Sequence, residues 1–236
     1  MDRLRRSSLP VSTVILLACW SFVLGQQRPL VTESADTVAE KHLRFELGME
    51  VLRDALFPLS GLKGNLTRFG VFGLRYGLGP GAELQLSGVA HNYLSIKQRF
   101  PAPHSTLLDI SGNSTSDFGD LALGAKVRFL SERETRPAVG FRFAVELPNA
   151  SNESGLGNDE TNAYAAFLIS KTLGKMSFTG NLGLAILGDP LDTASQDDLF
   201  TYGLSTTYQI SPTLNLAADF YGREGPGGIG TEEQTR

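Results

Sequence analysis

Three histidines are the residues of this chain that could most readily carry acid–base or metal chemistry. His42, His91 and His104 lie far apart in the sequence, and none has Asp, Glu or Cys at a spacing typical of metal ligands. His104 precedes Ser105 and lies near Asp109, which leaves a membrane-embedded acyl hydrolase as one alternative. Adjacent residues on an extended chain point to opposite faces, however, so this pair is not a preformed dyad. We predict that the protein is not an enzyme and has no catalytic residues, metal site or cofactor.

A second set of reactive side chains consists of charges that alternate with apolar residues. Six are basic and six are acidic, so their charges nearly cancel. In an enclosed space they would pair, because an unpaired buried ion costs several kcal/mol. The set therefore forms either a salt-bridge network that fills an interior or the lining of a polar conduit without strong ion selectivity. The predicted lumen-lining residues are Arg44, Glu46, Glu50, Arg75, Glu83, Asp120, Lys126, Arg128, Arg142, Glu146, Lys171 and Asp219.

Amphipathic strands are the elements that must position these charges. Apolar and polar residues alternate clearly in five segments, residues 43–52, 121–129, 139–147, 178–186 and 200–208. Weaker alternation marks four more, residues 68–78, 82–96, 161–172 and 213–222. The apolar phase slips by one residue between Gly88 and Val89, which predicts a bulge. The sequence thus predicts nine strands.

The lengths of the connections separate a membrane barrel from a soluble sheet. Short turns at 79–81, 131–135, 173–175 and 211–212 alternate with long polar connections at 53–67, 97–120, 148–160 and 188–198. Outer-membrane barrels have short turns at one end and long loops at the other, whereas nothing requires this arrangement in a soluble up-and-down sheet. No apolar run after residue 25 approaches the roughly 18 residues of a membrane helix. We predict an all-β, antiparallel up-and-down transmembrane β-barrel over residues 43–222, with outer-membrane lipid around it.

The first 25 residues indicate export. Basic Arg3, Arg5 and Arg6 precede an apolar stretch at 11–24, as in a signal peptide, although Cys19 leaves lipidation as an alternative. We predict the outer membrane of a Gram-negative-type bacterium as the location, with residues 26–42 as a periplasmic N-terminal segment. The net charge of -4 provides no basic footprint for nucleic acid.

The predicted strand number leaves one inconsistency. A ninth strand would run outward, yet single-chain bacterial barrels have an even number of strands. Either the sequence is a C-terminal truncation of a barrel of about 10–12 strands, with residues 223–236 as a loop or truncated end, or a further strand lies within 53–67 or 97–120. The oligomeric state stays open.

Several strings also carry a family resemblance. FGDLALGAKVRFL, RPAVGFRFAVELPNAS and NLGLAILGDP resemble the outer-membrane family named for the meta-pathway of phenol degradation, also labelled simply transporter. The resemblance covers most of residues 43–222. It implies a porin-like barrel for passive uptake or binding of small hydrophobic or aromatic molecules. The alternative is a structural or adhesive outer-membrane barrel with a plugged lumen.

Overall fold

The computed structural model describes residues 31–192 and 195–225. Ten β-strands form within these residues. The predicted signal peptide, residues 1–25, and most of the predicted end segment, residues 223–236, lie outside this part of the chain. The strands are β1 (Leu43–Phe57), β2 (Leu62–Gly79), β3 (Ala82–Arg99), β4 (Ser114–Asp117), β5 (Leu121–Leu130), β6 (Ala138–Leu147), β7 (Asn162–Leu173), β8 (Met176–Gly188), β9 (Gln196–Ser211) and β10 (Leu214–Glu224).

All ten strands belong to one antiparallel sheet. The order is β1-β2-β3-β5-β6-β7-β8-β9-β10, and the short β4 pairs with β3 beside this path. Each long strand pairs with its neighbour in sequence, as in an up-and-down meander, and the sheet curls into a half-barrel with β1 and β10 at its two edges. This architecture confirms the predicted all-β antiparallel class. Searching the described residues for a helix long and apolar enough to span a membrane found none.

One expectation about the connections was wrong, and one alternative for a further strand was confirmed. The predicted long connection 53–67 is mostly strand, because β1 continues to Phe57 and β2 begins at Leu62. A register shift between Leu52 and Ala55, with Asp54 at φ 54°, interrupts the alternation that would have revealed the continuation. Within the predicted connection 97–120 the chain forms β4, which is one of the two places proposed for a further strand.

The ends of the sheet differ in their loops, although less sharply than predicted. Residues 80–81, 131–137, 174–175 and 212–213 form one end, called here the short-turn end. Residues 58–61, 100–113, 148–161 and 189–192 lie at the other end, called here the long-loop end. Residues 58–61 are a tight connection, and 131–137 is as long as 189–195, so only two connections at the long-loop end are distinctly long.

The two faces of the sheet have opposite polarity. On the outer face large apolar side chains are exposed, for example Leu47 at 67% and Leu204 at 61%. On the inner face charged side chains are buried, for example Glu83 at 1% and Lys126 at 2% exposure. Exposed apolar patches this extensive are unusual on monomeric soluble proteins. The polarity of the two faces is therefore the reverse of that of a soluble protein, in which apolar side chains are buried and charged ones exposed.

An apolar cluster fills the inner face at the long-loop end. Phe57, Leu62, Leu66, Leu94 and Ile96 are buried there. Partly buried residues pack against them from β1 and from the long loops: Leu52, Ala55, Leu108, Ile110 and Leu156. The loops 100–113 and 148–161 are therefore held against the inner face.

A change of phase in β3 makes this cluster possible. Glu83, Gln85 and Val89 are buried in the first part of the strand, and Asn92 and Leu94 in the second. The burial phase therefore changes at residues 90–91, but β3 keeps one register with β2 through this point, so the bulge predicted between Gly88 and Val89 was wrong. The register shift lies instead between β1 and β2, where Gly70 is the extra residue opposite Gly48 and Met49 and has φ 61°.

The β7–β8 turn offers a test of local backbone strain. Gly174 has φ 60°, and no atom lies within 4 Å of the position that a Cβ would take, so a side chain would meet no clash but would occupy the left-handed region. Gly174→Ala should lower the free energy of unfolding by about 1 kcal/mol. Gly79→Ala is the matched control, because Gly79 is equally open and has no positive φ. Urea titration of the folded fraction in detergent measures both variants, and equal midpoints would contradict the strain argument.

Candidate functional site

The segment before β1 crosses the inner face of the sheet. We call residues 31–41 the N-terminal strap. The backbone N–H of Val31 donates to the Asp219 carboxylate on β10 at 2.6 Å, and that of Ala35 donates to Ser170 Oγ on β7 at 2.9 Å. At the other end, the N–H of Lys41 donates to the carbonyl of Gly77 on β2 at 2.8 Å. The strap thus links the strands near both edges of the half-barrel.

Glycines on the inner face make room for the strap. A Cβ at Gly77 would lie 2.1 Å from the carbonyl oxygen of Ala39, and one at Gly203 would lie 2.6 Å from Thr32 Oγ1. Since real Cβ contacts are longer than this, any side chain at either position would push the strap away. Ala35 is fully buried and Val38 nearly so, which shows how closely the strap packs.

Six charged side chains meet where the strap crosses the middle strands, and we call them the interior charge network. Glu33 of the strap contacts Lys126 Nζ at 3.0 Å and Arg142 Nε at 3.0 Å. Lys126 Nζ also lies 3.1 Å from Glu83 Oε1. Three carboxylates balance three cations, as buried ion pairs require. The members are Glu33, Glu46, Arg75, Glu83, Lys126 and Arg142.

The surroundings of Glu33 keep its carboxylate charged. Burial raises the pKa of Glu33, but the positive charges of Arg142, Lys126 and Arg75 outweigh that effect and lower the pKa to about 2. Gln85 Nε2 adds a hydrogen bond to the same carboxylate. Glu83 also binds the strap backbone, accepting a hydrogen bond from the N–H of Val38 at 2.6 Å. The strap is therefore held to the sheet by both its backbone and its one buried charge within the described residues.

A polar cavity of about 220 Å³ lies on the inner face against the loop 148–161. Glu146 in its wall accepts a hydrogen bond from Asn162 Nδ2 at 3.0 Å, and Arg68 pairs with Glu50 at 2.8 Å. Asp120 accepts hydrogen bonds from the backbone N–H groups of Asn149 and Ala150, both at 2.8 Å. The contacts of Asp120 fix the loop 148–161 to the start of β5, and this loop forms one wall of the cavity.

The structure brings together five of the twelve predicted lumen-lining residues in the interior charge network: Glu46, Arg75, Glu83, Lys126 and Arg142. Three others, Glu50, Asp120 and Glu146, lie at or beside the cavity. Two others hold the strap. The Asp219 carboxylate accepts a hydrogen bond from the backbone N–H of Val31, and Arg128 forms an ion pair with Asp36 at 3.3 Å.

The remaining two are Arg44 and Lys171. Arg44 is half-buried and lies opposite Arg75 in the β1–β2 ladder. Lys171 lies at the short-turn end, where it pairs with Glu132 at 3.2 Å. Whether any of the twelve lines a solute path stays a prediction.

Sequence reasoning missed several residues of the site. Glu33 lies in the strap, which has no strand periodicity, so no pattern indicated that it faces the sheet. Gln85 and Asn162 are on strands, and extending the alternation through β3 and β7 would have found them. Arg68 lies before the change of phase at Gly70 in β2, so alternation from Arg75 does not place it on the inner face. Asn92 also faces inward, because the phase of β3 changes before it. Simple alternation from Glu83 would have placed Asn92 on the outer face.

The residues considered for hydrolysis each have another partner. Ser105 Oγ donates to the carbonyl of Ala102 at 2.7 Å, and His104 Nε2 lies 3.3 Å from the carbonyl oxygen of Pro190. The serine and the imidazole therefore do not form a dyad with each other. In the described ranges no group of three or more His, Cys, Asp or Glu side chains is arranged to hold a metal ion.

The family of the chain follows from comparison with known sequences. The profile of the family described as "Putative MetA-pathway of phenol degradation" matches residues 26–234, and the chain belongs to this family. This match confirms the resemblance seen in the sequence. Comparisons with curated proteins and with solved structures found no match.

Proposed function

We propose that the protein is an outer-membrane barrel protein that binds small apolar or aromatic solutes and lets them pass inward. The observation that carries this proposal is the inverted polarity of the sheet, with apolar Leu47 and Leu204 exposed outside and charged Glu83 and Lys126 buried inside. Such a sheet suits lipid around it and a polar interior. The family description, which refers to phenol degradation, supports an aromatic solute.

The N-terminal strap determines how open the interior is. It lies across the inner face and its charged residue Glu33 is bound by Lys126 and Arg142. The apolar cluster around Leu62 and Leu94 fills the long-loop end. Passage therefore requires the strap or the long loops to move, and the same observations favour a second candidate function, a structural or adhesive barrel with a plugged interior.

Uptake of radiolabelled toluene by intact Gram-negative cells tests the proposal. We expect cells that carry the full chain to take up toluene faster than cells without it, and cells carrying a variant that lacks residues 31–41 to be faster still. Lys171→Ala is the control, because Lys171 binds the 131–137 turn and has no strap contact among its hydrogen bonds or ion pairs. The full chain, the variant without residues 31–41 and Lys171→Ala are compared at equal amounts in the outer membrane. If all three give the uptake of cells without the protein, the passage of solutes is contradicted and the plugged barrel remains as the function.

A further inference from the structure

The cavity against the loop 148–161 contains a polar atom without a partner among the described residues. Asn92 lines this cavity and is more than nine-tenths buried. Its Nδ2 donates to the carbonyl of Phe118 at 3.2 Å, which fixes the orientation of the amide. Its Oδ1 is buried and accepts no hydrogen bond from any residue in the described ranges. Leaving a buried acceptor without a hydrogen bond is unfavourable, so a bound donor at this position would be favourable.

The backbone beside Asn92 is built tightly around this side chain. A Cβ at Gly119 would lie 2.6 Å from the Cβ of Val89 and 3.2 Å from Asn92 Nδ2. The N–H of Gly119 also donates to the carbonyl of Val89 at 2.9 Å. Asn92 is therefore held in place by its surroundings and cannot readily turn its amide toward another partner.

The charged groups around the cavity favour a ligand that donates a hydrogen bond over a ligand that accepts one. Asp120 and Glu146 are carboxylates in its wall, and Asp117 and Asp159 add negative charge near Asp120. Arg68 in the same wall already binds Glu50, and Arg223 interacts electrostatically with Glu146, so negative charges outnumber positive ones around the cavity. An excess of negative charge repels an anionic ligand and attracts a cation. Phe57 and Leu156 supply an apolar part of the wall.

The size of the cavity limits the ligand. Drug-sized ligands occupy pockets of about 300–1,000 Å³, and this cavity measures about 220 Å³. We propose that it is a binding site for a single-ring organic molecule that carries one hydrogen-bond donor group, an ammonium in preference to a hydroxyl. The donor group binds Asn92 Oδ1 near the carboxylates, and the ring contacts Phe57 and Leu156. This inference rests on the proposed function, because it names the solute class that the interior holds.

Binding to the full chain in detergent micelles tests the site without requiring transport. The probes are benzylamine, benzyl alcohol and benzoate, which share a ring and differ in the group attached to it. The readout is the ¹⁵N NMR signal of the Asn92 side-chain amide, assigned by its loss in Asn92→Leu. We expect benzylamine at millimolar concentration to shift this signal, benzyl alcohol to shift it at higher concentration and benzoate to leave it unchanged.

Substitutions then separate the site from nonspecific binding to micelles. Saturation-transfer NMR should show at least about tenfold weaker benzylamine binding in Asn92→Leu, the loss expected for one hydrogen bond to a charged donor. Asn152→Leu is the matched control, because Asn152 Oδ1 is also buried without a partner in the described part of the chain but Asn152 does not line the cavity. Leu156→Trp, which fills the cavity from a loop, should also abolish binding and replaces Asn92→Leu if that variant does not fold.

Two results would overturn the site: benzoate binding as tightly as benzylamine, or no probe shifting the Asn92 signal, which would indicate water as the only occupant. Toluene uptake remains a separate measurement. Benzylamine binding without uptake would remove the transport proposal and keep the site, whereas uptake without binding would remove the site and keep transport.

Discussion

Lys126→Met is expected to lower the free energy of unfolding by about 3–5 kcal/mol, the usual cost of removing one partner from a buried ion pair. Lys126 Nζ lies 3.0 Å from Glu33 and 3.1 Å from Glu83, and only 2% of its side chain is exposed. The substitution leaves three carboxylates facing the two cations Arg75 and Arg142. Because these side chains are buried, solvent and salt screen the excess negative charge only weakly. Urea titration of the folded fraction in detergent micelles measures the change.

Two further variants show whether the charge balance is the cause. Lys171→Ala removes a lysine whose ion pair with Glu132 is about one-quarter exposed on both sides, and it should cost less than about 1 kcal/mol. Glu83→Gln combined with Lys126→Met restores the balance of charges and should recover part of the loss. A Lys126→Met midpoint equal to that of Lys171→Ala would show that the interior charge network does not stabilise the fold.

The fold was predictable where alternation is clean. Residues 121–129 and 139–147 became β5 and β6 with almost the predicted bounds, because each apolar side chain there must face outward and each polar one inward. The continuation of β1 to Phe57 was not predictable, because the irregularity at Asp54 shifts the phase and the inner face becomes apolar at that end. Period two identifies a face only as long as that face keeps one polarity.

The site was predictable in part for the same reason. The phase of the strands placed Glu83, Lys126 and Arg142 on the inner face, and the near-equal numbers of opposite charges predicted that they would pair. Their partner Glu33 was not predictable, since a nonperiodic segment gives no sign of the surface it contacts. Gly77 and Gly203 are the sequence feature that the strap requires, because a side chain at either position would clash with it. Glycine has this meaning only once the strap is known to pass beside both positions.

The charge of Glu33 makes the hold on the strap dependent on pH. Burial raises the pKa of Glu33, but Arg142, Lys126 and Arg75 lower it to about 2, from an ordinary value of 4.5. A carboxyl whose pKa is lower in the folded protein than in the unfolded chain stabilises the fold above the unfolded value. This stabilisation is lost as the pH falls through the folded value. One pKa unit corresponds to about 1.4 kcal/mol, so the contribution of Glu33 at neutral pH is on the order of 3 kcal/mol.

The strap is therefore expected to stay bound from neutral pH to about pH 4.5 and to detach as the pH approaches about 2. Backbone amide NMR signals of Ala35 and Val38 report its position, because their N–H groups bind Ser170 and Glu83. The amide of Leu94 on β3 serves as the reference for the fold itself, because Leu94 is buried in the apolar cluster at the long-loop end, which contains no strap residue.

The variant Glu33→Gln distinguishes the effect of the Glu33 carboxyl from that of Glu46 and Glu83, which face the same cations. In that variant the strap signals should already differ at pH 7 and should change little on acidification. If the variant instead reproduces the acid transition of the natural chain, another carboxyl controls the strap and the assignment to Glu33 is wrong. If the strap signals of the natural chain stay constant to pH 2 while the Leu94 signal is also unchanged, the strap is held by its backbone contacts to Ser170 and Asp219, and the charge of Glu33 does not control its release.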